Sequence, residues 1–283
     1  MAQLTQLKHR IKAIETIKKI THAMRLISIS THARLKNKES ALLLYTNTLN
    51  MLYHTIKKDV PAWHHPVLNP VQHNGESRPL LIIIGSEKGL CGSFNSMLFQ
   101  FLRATLRTYK QRPDVLVVGR KTLDYTDNIA IGPIIKTYAP LNMNSLPKMA
   151  EAIVHDIMHF PVPYTHITVV SNKFRSFFVQ QPHITRLIPF DPSTPREHVL
   201  DTTNHIWEQD PEEILNMITH QCVQATMHTL LFHSLLSEQA ARFLSMDNST
   251  RSAEGLLEVN KLQYNKLRQA KITKELTELT GGF

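Results

Sequence analysis

The distribution of proline constrains this chain more than any other feature of its sequence. All 15 prolines lie between Pro61 and Pro211, and the two end segments contain a single interior glycine, Gly255. Inside a helix a proline costs about 3 kcal/mol and a glycine about 1 kcal/mol. The ends therefore predict long helices over residues 1–60 and 210–283. A 60-residue helix is about 90 Å long, which exceeds the width of a compact domain, so each helix needs an equally long partner.

Mostly apolar side chains recur at intervals of three or four residues along both ends, close to the 3.5-residue repeat of a supercoiled helix pair. In the first segment they are Leu4, Leu7, Ile11, Ile14, Ile17, Ile20, Met24 and Ile27. In the last segment they are Leu215, Ile218, Cys222, Ala225, Thr229, Phe232, Leu236, Gln239, Phe243, Met246, Ala253, Leu257, Tyr264 and Leu267. A lone helix cannot bury such a stripe, and the one segment of matching length is the opposite end of the chain. The pattern predicts an antiparallel coiled coil of the two termini.

The start of the C-terminal helix has its own capping signal. Asp210 is a favourable N-cap residue, Pro211 suits the first helical turn, and Glu213 completes a reciprocal capping box. We expect the helix to begin at this point.

The central segment alternates between strand and helix patterns. Short β-branched runs bounded by glycine, proline or serine predict buried strands at residues 80–85, 114–119, 133–138 and 166–171. Helical patterns at residues 93–109 and 146–160 alternate with them, which indicates a mainly parallel sheet. Residues 178–190 predict an edge strand, because Pro182 is disfavoured in a central one. The predicted fold class is α/β, with an antiparallel coiled coil of the N- and C-terminal helices and an inserted Rossmann-like α/β domain at residues 75–208.

The positive charge is concentrated at the N-terminus. The formal net charge is +9, and residues 1–60 contain 11 Lys and Arg against three Asp and Glu. This asymmetry predicts an acidic partner, such as phosphate, anionic lipid or an acidic protein surface. A nucleic-acid arm and a solvated charged face both stay open on charge alone. A membrane-surface helix is disfavoured because the apolar stripe is narrow.

No residue pattern assembles a convincing active site. The turn GSEKGLCGSFN at residues 85–95 has neither the GK[ST] of a phosphate loop nor GxGxxG spacing. The motif HDIMH at residues 155–159 resembles the zinc-protease HExxH but has no evident third ligand. Cys91 is open to two interpretations, a nucleophile at a helix N-terminus or a small packing residue. We expect no catalytic residue, no cofactor and no metal site.

Two further classes of protein are disfavoured. Only two cysteines, Cys91 and Cys222, occur, and they form no CxxC pair, which argues against a disulfide framework. No apolar run approaches the ~18 residues of a membrane span, and the first residues lack the apolar segment of a secretory signal. A reducing, cytosol-type compartment is expected.

Several motifs resemble the gamma-subunit family of the rotary F-type ATP synthases. The C-terminal segment carries most of the likeness, in SEQAARF (237–243), MDNST (246–250), YNKLRQAKIT (264–273) and ITKELTELTGG (272–282). KKITHAMRLIS at residues 18–28 is similar to the family's ITKAM segment, and EKGLCGSFN at residues 87–95 is similar to its GLCG turn. The likeness spans essentially the whole chain and is weakest between residues 133 and 211.

The resemblance implies a central shaft that turns inside a hexamer of alternating alpha and beta subunits. Its α/β domain is expected to stand on the membrane c-ring beside the epsilon subunit, with the catalytic sites on the beta subunits. The implied beta-subunit contacts are Met24, Arg25, Arg268, Gln269, Thr273 and Glu275. The matching family turn is Gly89, Leu90, Cys91 and Gly92. Glu238 and Arg242, one helical turn apart, are expected to form an ion pair that braces the C-terminal helix.

The chain also departs from the family pattern. The departures are His22, Ser28 to Ser30, Ser93, Leu267 and an end at Phe283 without the short apolar tail. Because the initiator Met directly precedes the first helix, we expect a peripheral position on the cytoplasmic face of a bacterial inner membrane rather than in a mitochondrial matrix. The alternative hypothesis is a basic coiled-coil protein that binds nucleic acid.

Overall fold

The computed structural model describes residues 2–70, 78–109, 111–126, 131–192 and 208–280. Its elements in chain order are α1 (Ala2–Asp59), β1 (Pro79–Ile84), α2 (Phe94–Leu106), β2 (Asp114–Val118), α3 (Arg120–Thr126), β3 (Ile134–Tyr138), α4 (Leu146–Met158), β4 (His166–Phe174), β5 (Gln180–Ile188) and α5 (Pro211–Thr280). The predicted α/β fold class is confirmed, and the short helix α3 is the element that the sequence patterns missed. The predicted boundary at residue 75 and the closing residues 281–283 lie outside the described residues.

The chain divides into two compact units. The smaller consists of residues 1–30 with residues 242–283, and the larger consists of residues 31–241. The three-part division predicted from the sequence follows secondary-structure boundaries instead, and as a statement about domains it stays a prediction.

In the smaller unit, the first part of α1 and the last part of α5 run antiparallel. The ion pairs that join them are Glu15 with Lys261 at 3.0 Å, Lys18 with Glu254 at 3.0 Å, and Arg25 with Asp247 at 2.6 Å. Residue numbers decrease along α5 as they increase along α1, as an antiparallel pair requires. The pairing of the two ends predicted from the sequence is confirmed here.

The buried seam of α1 in the smaller unit differs from the predicted one. Buried positions recur every seven residues, at Leu7, Ile14, Thr21 and Ser28. The predicted seam residues Ile17, Ile20 and Ile27 are 52%, 54% and 65% exposed, so their assignment was wrong. Small hydroxyl residues can be buried because their oxygens are bonded: Thr250 Oγ1 donates to Thr21 Oγ1 at 2.9 Å, and Ser28 Oγ donates to a main-chain carbonyl. On α5, the predicted seam residues Met246, Ala253 and Leu257 are buried.

The larger unit contains a five-stranded sheet in the order β3-β2-β1-β4-β5. The first four strands are parallel, and β5 pairs antiparallel with β4 at the edge. Pro182, which pairs with Asn172, therefore lies in an edge strand as predicted. The opposite edge corrects a prediction: β3 was expected to be buried, but Ile134 and Ile135 are each 37% exposed. Sequence composition alone does not separate a parallel edge strand from a central one.

Residues of β1 alternate between the two faces of the sheet, as the two-residue period of a strand requires. Leu81 and Ile83 pack with residues of α2 on one face. Leu80, Ile82 and Ile84 belong to the main core on the other face, which also includes residues of α4, α1 and α5. Both faces of the central strand are thereby covered, which explains its continuous run of apolar residues.

The segments of α1 and α5 in the larger unit also pair antiparallel. Glu39 lies opposite His233, with a carboxyl oxygen 4.0 Å from Nδ1, and Thr46 Oγ1 lies 3.4 Å from Thr229 Oγ1. At the start of α5, the amide of Glu212 donates to the Asp210 carboxylate at 3.0 Å, so the predicted N-cap is confirmed. Within the described residues, none of the helices has the length and apolarity needed to cross a bilayer.

Candidate partner-binding site

Buried polar side chains of α5 contact the carboxyl ends of two neighbouring strands in the larger unit. Ser234 Oγ donates to the Ile84 carbonyl at 3.3 Å, and Ser237 Oγ donates to the Asn172 carbonyl at 3.5 Å. One turn further along, the Glu238 carboxylate accepts the main-chain N–H groups of residues 87 and 88 at 3.3 and 3.4 Å. Glu238 is only 1% exposed, so a buried acidic group holds the turn that follows β1.

The side chain of Glu87 holds the same turn from its other side. Its carboxylate accepts the amide of Leu141 at 3.0 Å and the amide of Arg120 at 3.3 Å. The Arg120 Nε atom also lies 3.1 Å from the carboxylate. Because Arg120 follows β2 and Leu141 follows β3, Glu87 connects the carboxyl ends of three parallel strands.

The backbone of the family turn, residues 89–92, is strained at Leu90. Leu90 has φ 62° and Gly92 has φ 58°, so two of its four residues are in the left-handed region, where a side chain is disfavoured. Cys91 is 3% exposed and packs with Phe94 and Ala241, which supports the packing interpretation over the nucleophile. The turn lines a cleft of about 390 Å³.

Both members of the predicted bracing pair are buried. Glu238 is 1% exposed and Arg242 is 4% exposed. The Glu238 carboxylate accepts the main-chain amides of residues 87 and 88. Helical spacing suggested a partner four residues away, whereas these amides are 151 and 150 residues distant in the chain. The ion pair with Arg242 stays a prediction.

The two predicted beta-subunit contacts on α1 lie in the smaller unit and are half-buried. Arg25 Nη1 donates to the Asp247 carboxylate at 2.6 Å, and Nη2 lies 3.2 Å from His22 Nδ1. This hydrogen bond holds the pKa of Asp247 below its ordinary value, with a further contribution from Arg251. Sequence reasoning missed Asp247, although MDNST was singled out, because its partner is on the other helix.

The predicted contacts near the end of α5 are all exposed side chains: Arg268, Gln269, Thr273 and Glu275. Arg268 and Glu275, seven residues apart, lie on one face of the helix. Thr273 Oγ1 donates to the Gln269 carbonyl at 3.0 Å, and Glu275 forms an ion pair with Lys271 at 3.3 Å. The structure thus places charged and amide groups on an accessible helix surface.

Among the residues that the structure describes, no group of three or more His, Cys, Asp or Glu side chains is arranged to hold a metal ion. The HDIMH motif illustrates this. Its two imidazoles stack with ring centroids 4.1 Å apart, and Asp156 is bonded to Lys136 and Tyr138 instead. Burial and the hydrogen bond to Asp156 raise the pKa of Tyr138 well above its ordinary value.

Comparison with known proteins assigns the family. A family model described as ATP synthase matches residues 3–283. The chain belongs to the ATP synthase family. A full-length relative is the ATP synthase gamma chain of Buchnera aphidicola subsp. Baizongia pistaciae (strain Bp), which is 26% identical over 288 residues and is aligned over 100% of this chain and 98% of its own length. The resemblance to the gamma-subunit family inferred from the sequence motifs is confirmed, and the nucleic-acid alternative receives no support.

Solved structures of the family share the fold of this chain. A chain of the Euglena gracilis mitochondrial ATP synthase, in a complex of OSCP, F1 and c-ring, aligns with a TM-score of 0.70 at 14% identity, over 99% of this chain and 93% of its own length. A chain of the Tetrahymena thermophila mitochondrial ATP synthase central stalk and c-ring aligns with a TM-score of 0.57 at 19% identity, over 81% and 98%. At these identities the structural likeness supports the fold.

Proposed function

We propose that this chain is the central rotor shaft of a proton-driven ATP synthase. It couples proton flow through the membrane c-ring to ATP synthesis at catalytic sites on the beta subunits, and it is not catalytic by itself. The full-length likeness to a gamma chain carries the proposal. The antiparallel pairing of α1 with α5 within each unit supports it, because paired helices stiffen one another.

The proposed partners are the alpha and beta subunits of the catalytic hexamer, the epsilon subunit and the c-ring. A shaft can act on three catalytic sites in turn only if its sides differ, because a surface that binds all three beta subunits equally shifts no equilibrium. The smaller unit has such contrast. Ile20 and Ile27 of α1 are exposed apolar side chains, whereas Arg268 and Glu275 of α5 are exposed charges.

The proposed contacts to the beta subunits are Met24, Arg25, Arg268, Gln269, Thr273 and Glu275. Their exposure on α5 supports this assignment, since an exposed Arg268 can form several charge-assisted hydrogen bonds with one acceptor group. Arg25 is already bonded to Asp247, so its contact with a partner is expected to use its remaining donors.

Reconstitution of the complete ATP synthase with variant chains tests this proposal. Arg268→Ala and Glu275→Ala should each lower proton-driven ATP synthesis about threefold to tenfold, the effect of losing an interface contact of about 1 kcal/mol. Lys266→Ala, at another exposed charge of the same helix, is the matched control and should leave the rate unchanged. Unchanged synthesis in both test variants would contradict the assigned contacts, and ATP hydrolysis by the purified chain would contradict the non-catalytic role.

We further propose a peripheral location on the cytoplasmic face of a bacterial inner membrane. The bacterial source of the full-length relative supports this assignment. Protease treatment of inverted membrane vesicles should degrade the chain, whereas right-side-out vesicles should protect it. Degradation in the right-side-out vesicles alone would contradict the proposed face.

A further inference from the structure

The turn after β1 is the place where doubly wound α/β folds hold an anionic ligand. In such folds, main-chain N–H groups at the carboxyl end of the first strand bind a phosphate. Here the N–H groups of Glu87 and Lys88 point at the Glu238 carboxylate, at 3.3 and 3.4 Å. A carboxylate of the chain's own C-terminal helix therefore occupies the anion position of this turn.

Glu238 is connected through the turn to most of the parallel sheet. Glu87, whose amide donates to Glu238, accepts with its own carboxylate the amides of Arg120 and Leu141, which follow β2 and β3. On the helix side, Ser234 and Ser237 bond to carbonyls of β1 and β4. All four parallel strands are thus bonded, directly or through one side chain, to one short stretch of α5.

The hydrogen bonds of Glu238 resist sliding of α5 over the sheet, which the surrounding apolar packing does not. Apolar contacts are non-directional, so one packed surface can slide by a small distance over another at low cost. Hydrogen bonds lose strength steeply when their angle or distance changes. A displacement at Glu238 would break its hydrogen bonds to the amides of Glu87 and Lys88, and losing hydrogen bonds at a 1%-exposed acidic group is costly.

We propose that Glu238 is the positioning residue that holds the α/β sheet in register with α5 when the shaft turns against a load. The inference rests on the proposed rotor function. Under load, torque that enters through the α/β domain passes to α5 through the Glu238 contacts. Without load, little torque crosses this contact.

The experiment compares loaded and unloaded turnover in the reconstituted ATP synthase. Glu238→Ala should leave ATP hydrolysis by the complex of the catalytic hexamer with this chain, detached from the membrane ring, within about twofold of the wild-type rate, while proton-driven ATP synthesis falls about fivefold or more. Glu258→Ala, at an exposed carboxylate of the same helix, is the control and should change neither rate. Equal loss of both rates would indicate a merely structural role and would overturn the proposal, as would unchanged synthesis.

Two further measurements make each outcome decisive. Glu238→Gln keeps the side-chain volume and should also lower ATP synthesis while leaving unloaded ATP hydrolysis nearly unchanged. The result then does not depend on whether Glu238→Ala folds correctly. Hydrogen exchange of the full chain should show the amides of Glu87 and Lys88 about tenfold less protected in Glu238→Ala, with the amide of Val115 in β2 unchanged. Unchanged protection would overturn the contact itself. Failure of the wild-type chain to support synthesis would instead overturn the rotor function, whatever the exchange result.

Discussion

The guanidinium of Arg25 lies 2.6 Å from the carboxylate of Asp247, joining two residues that are 222 positions apart in the chain. The contact lies in the smaller unit, where α1 and α5 run antiparallel. Arg251, one helical turn beyond Asp247, places a second guanidinium 2.9 Å from the same carboxylate. One acidic side chain of α5 thus pairs with a cation of each helix.

We expect Asp247→Asn to lower the thermal stability of the chain at neutral pH, because Arg25 loses a charged acceptor. The pKa of Asp247 in the folded chain lies below its unfolded value. Its stabilising effect is therefore complete above the unfolded pKa and is lost as the pH falls through the folded pKa. Melting curves of wild type and variant should converge as the pH falls below about 4. Glu258→Gln, at an exposed carboxylate of α5, is the control, and a difference that does not depend on pH would contradict the assignment.

Because of the buried imidazole of His32, we expect the stability of the larger unit to decrease at acid pH. Its ring lies 4.9 Å from Phe177 and 5.5 Å from Phe174, and its Nε2 atom is buried without a hydrogen-bond partner in the described structure. Burial, together with the charge of Lys36, lowers the pKa of His32 below 6.5. Stability is therefore complete above the unfolded pKa and decreases as the pH falls through the folded value, since the unfolded chain takes up the proton first.

We expect His32→Phe, which keeps an aromatic ring in this cluster, to remove part of that acid sensitivity. Urea unfolding at about pH 7.5 and about pH 5 should show a smaller loss of the free energy of unfolding in the variant. Residual sensitivity is expected from His233, whose pKa burial also lowers. His155→Phe at an exposed imidazole is the comparison. An equal loss in wild type and His32→Phe would refute the role of His32.

Gly85 is required by the close approach of Thr122. A Cβ atom at residue 85 would lie 2.3 Å from Thr122 Oγ1 and 3.2 Å from Thr122 Cβ. Gly85→Ala should therefore reduce the free energy of unfolding by about 1–3 kcal/mol, the usual cost of overpacking. In the background of Thr122→Ala, the same substitution should cost less, because the hydroxyl and methyl groups are gone. A double-mutant cycle with chemical denaturation measures the difference, and additive effects would contradict the steric explanation.

Two isoleucines of α1 test the seam of the smaller unit. Ile14 is 8% exposed and packs with Ala253 and Leu257, whereas Ile20 is 54% exposed. Ile14→Ala should cost about 2–4 kcal/mol, because it leaves a cavity in a packed contact. Ile20→Ala is the matched control and should change the free energy of unfolding of the isolated chain by about 0.5 kcal/mol or less. Equal losses of the free energy of unfolding in the two variants would mean that Ile20 lies in the buried seam, as apolar spacing alone predicted.

Local backbone chemistry explains what was predictable from the sequence. Absence of proline and glycine permits a long helix wherever it falls, and the cap at Asp210 depends only on residues within one helical turn. The run of apolar residues in β1 likewise indicates a strand buried on both faces. These features were read correctly because each depends on neighbours along the chain.

Relations between distant residues were not predictable in this way. Apolar spacing placed Ile20 in the seam, but the position of α5 decides which face of α1 is buried, and it buries Thr21 and Ser28 instead. The exposure of β3 depends on its place in the strand order.

For this chain, the sequence by itself determined the elements other than α3, their order and the membership of a family with recognisable ends. Only the tertiary structure decided that Glu238 accepts hydrogen bonds from amides 151 and 150 residues away and that Asp247 pairs with Arg25. The physical reason is that helix and strand formation depends on short-range backbone and side-chain preferences. The choice of partner for a buried charge depends instead on which donors the completed fold brings within hydrogen-bond distance.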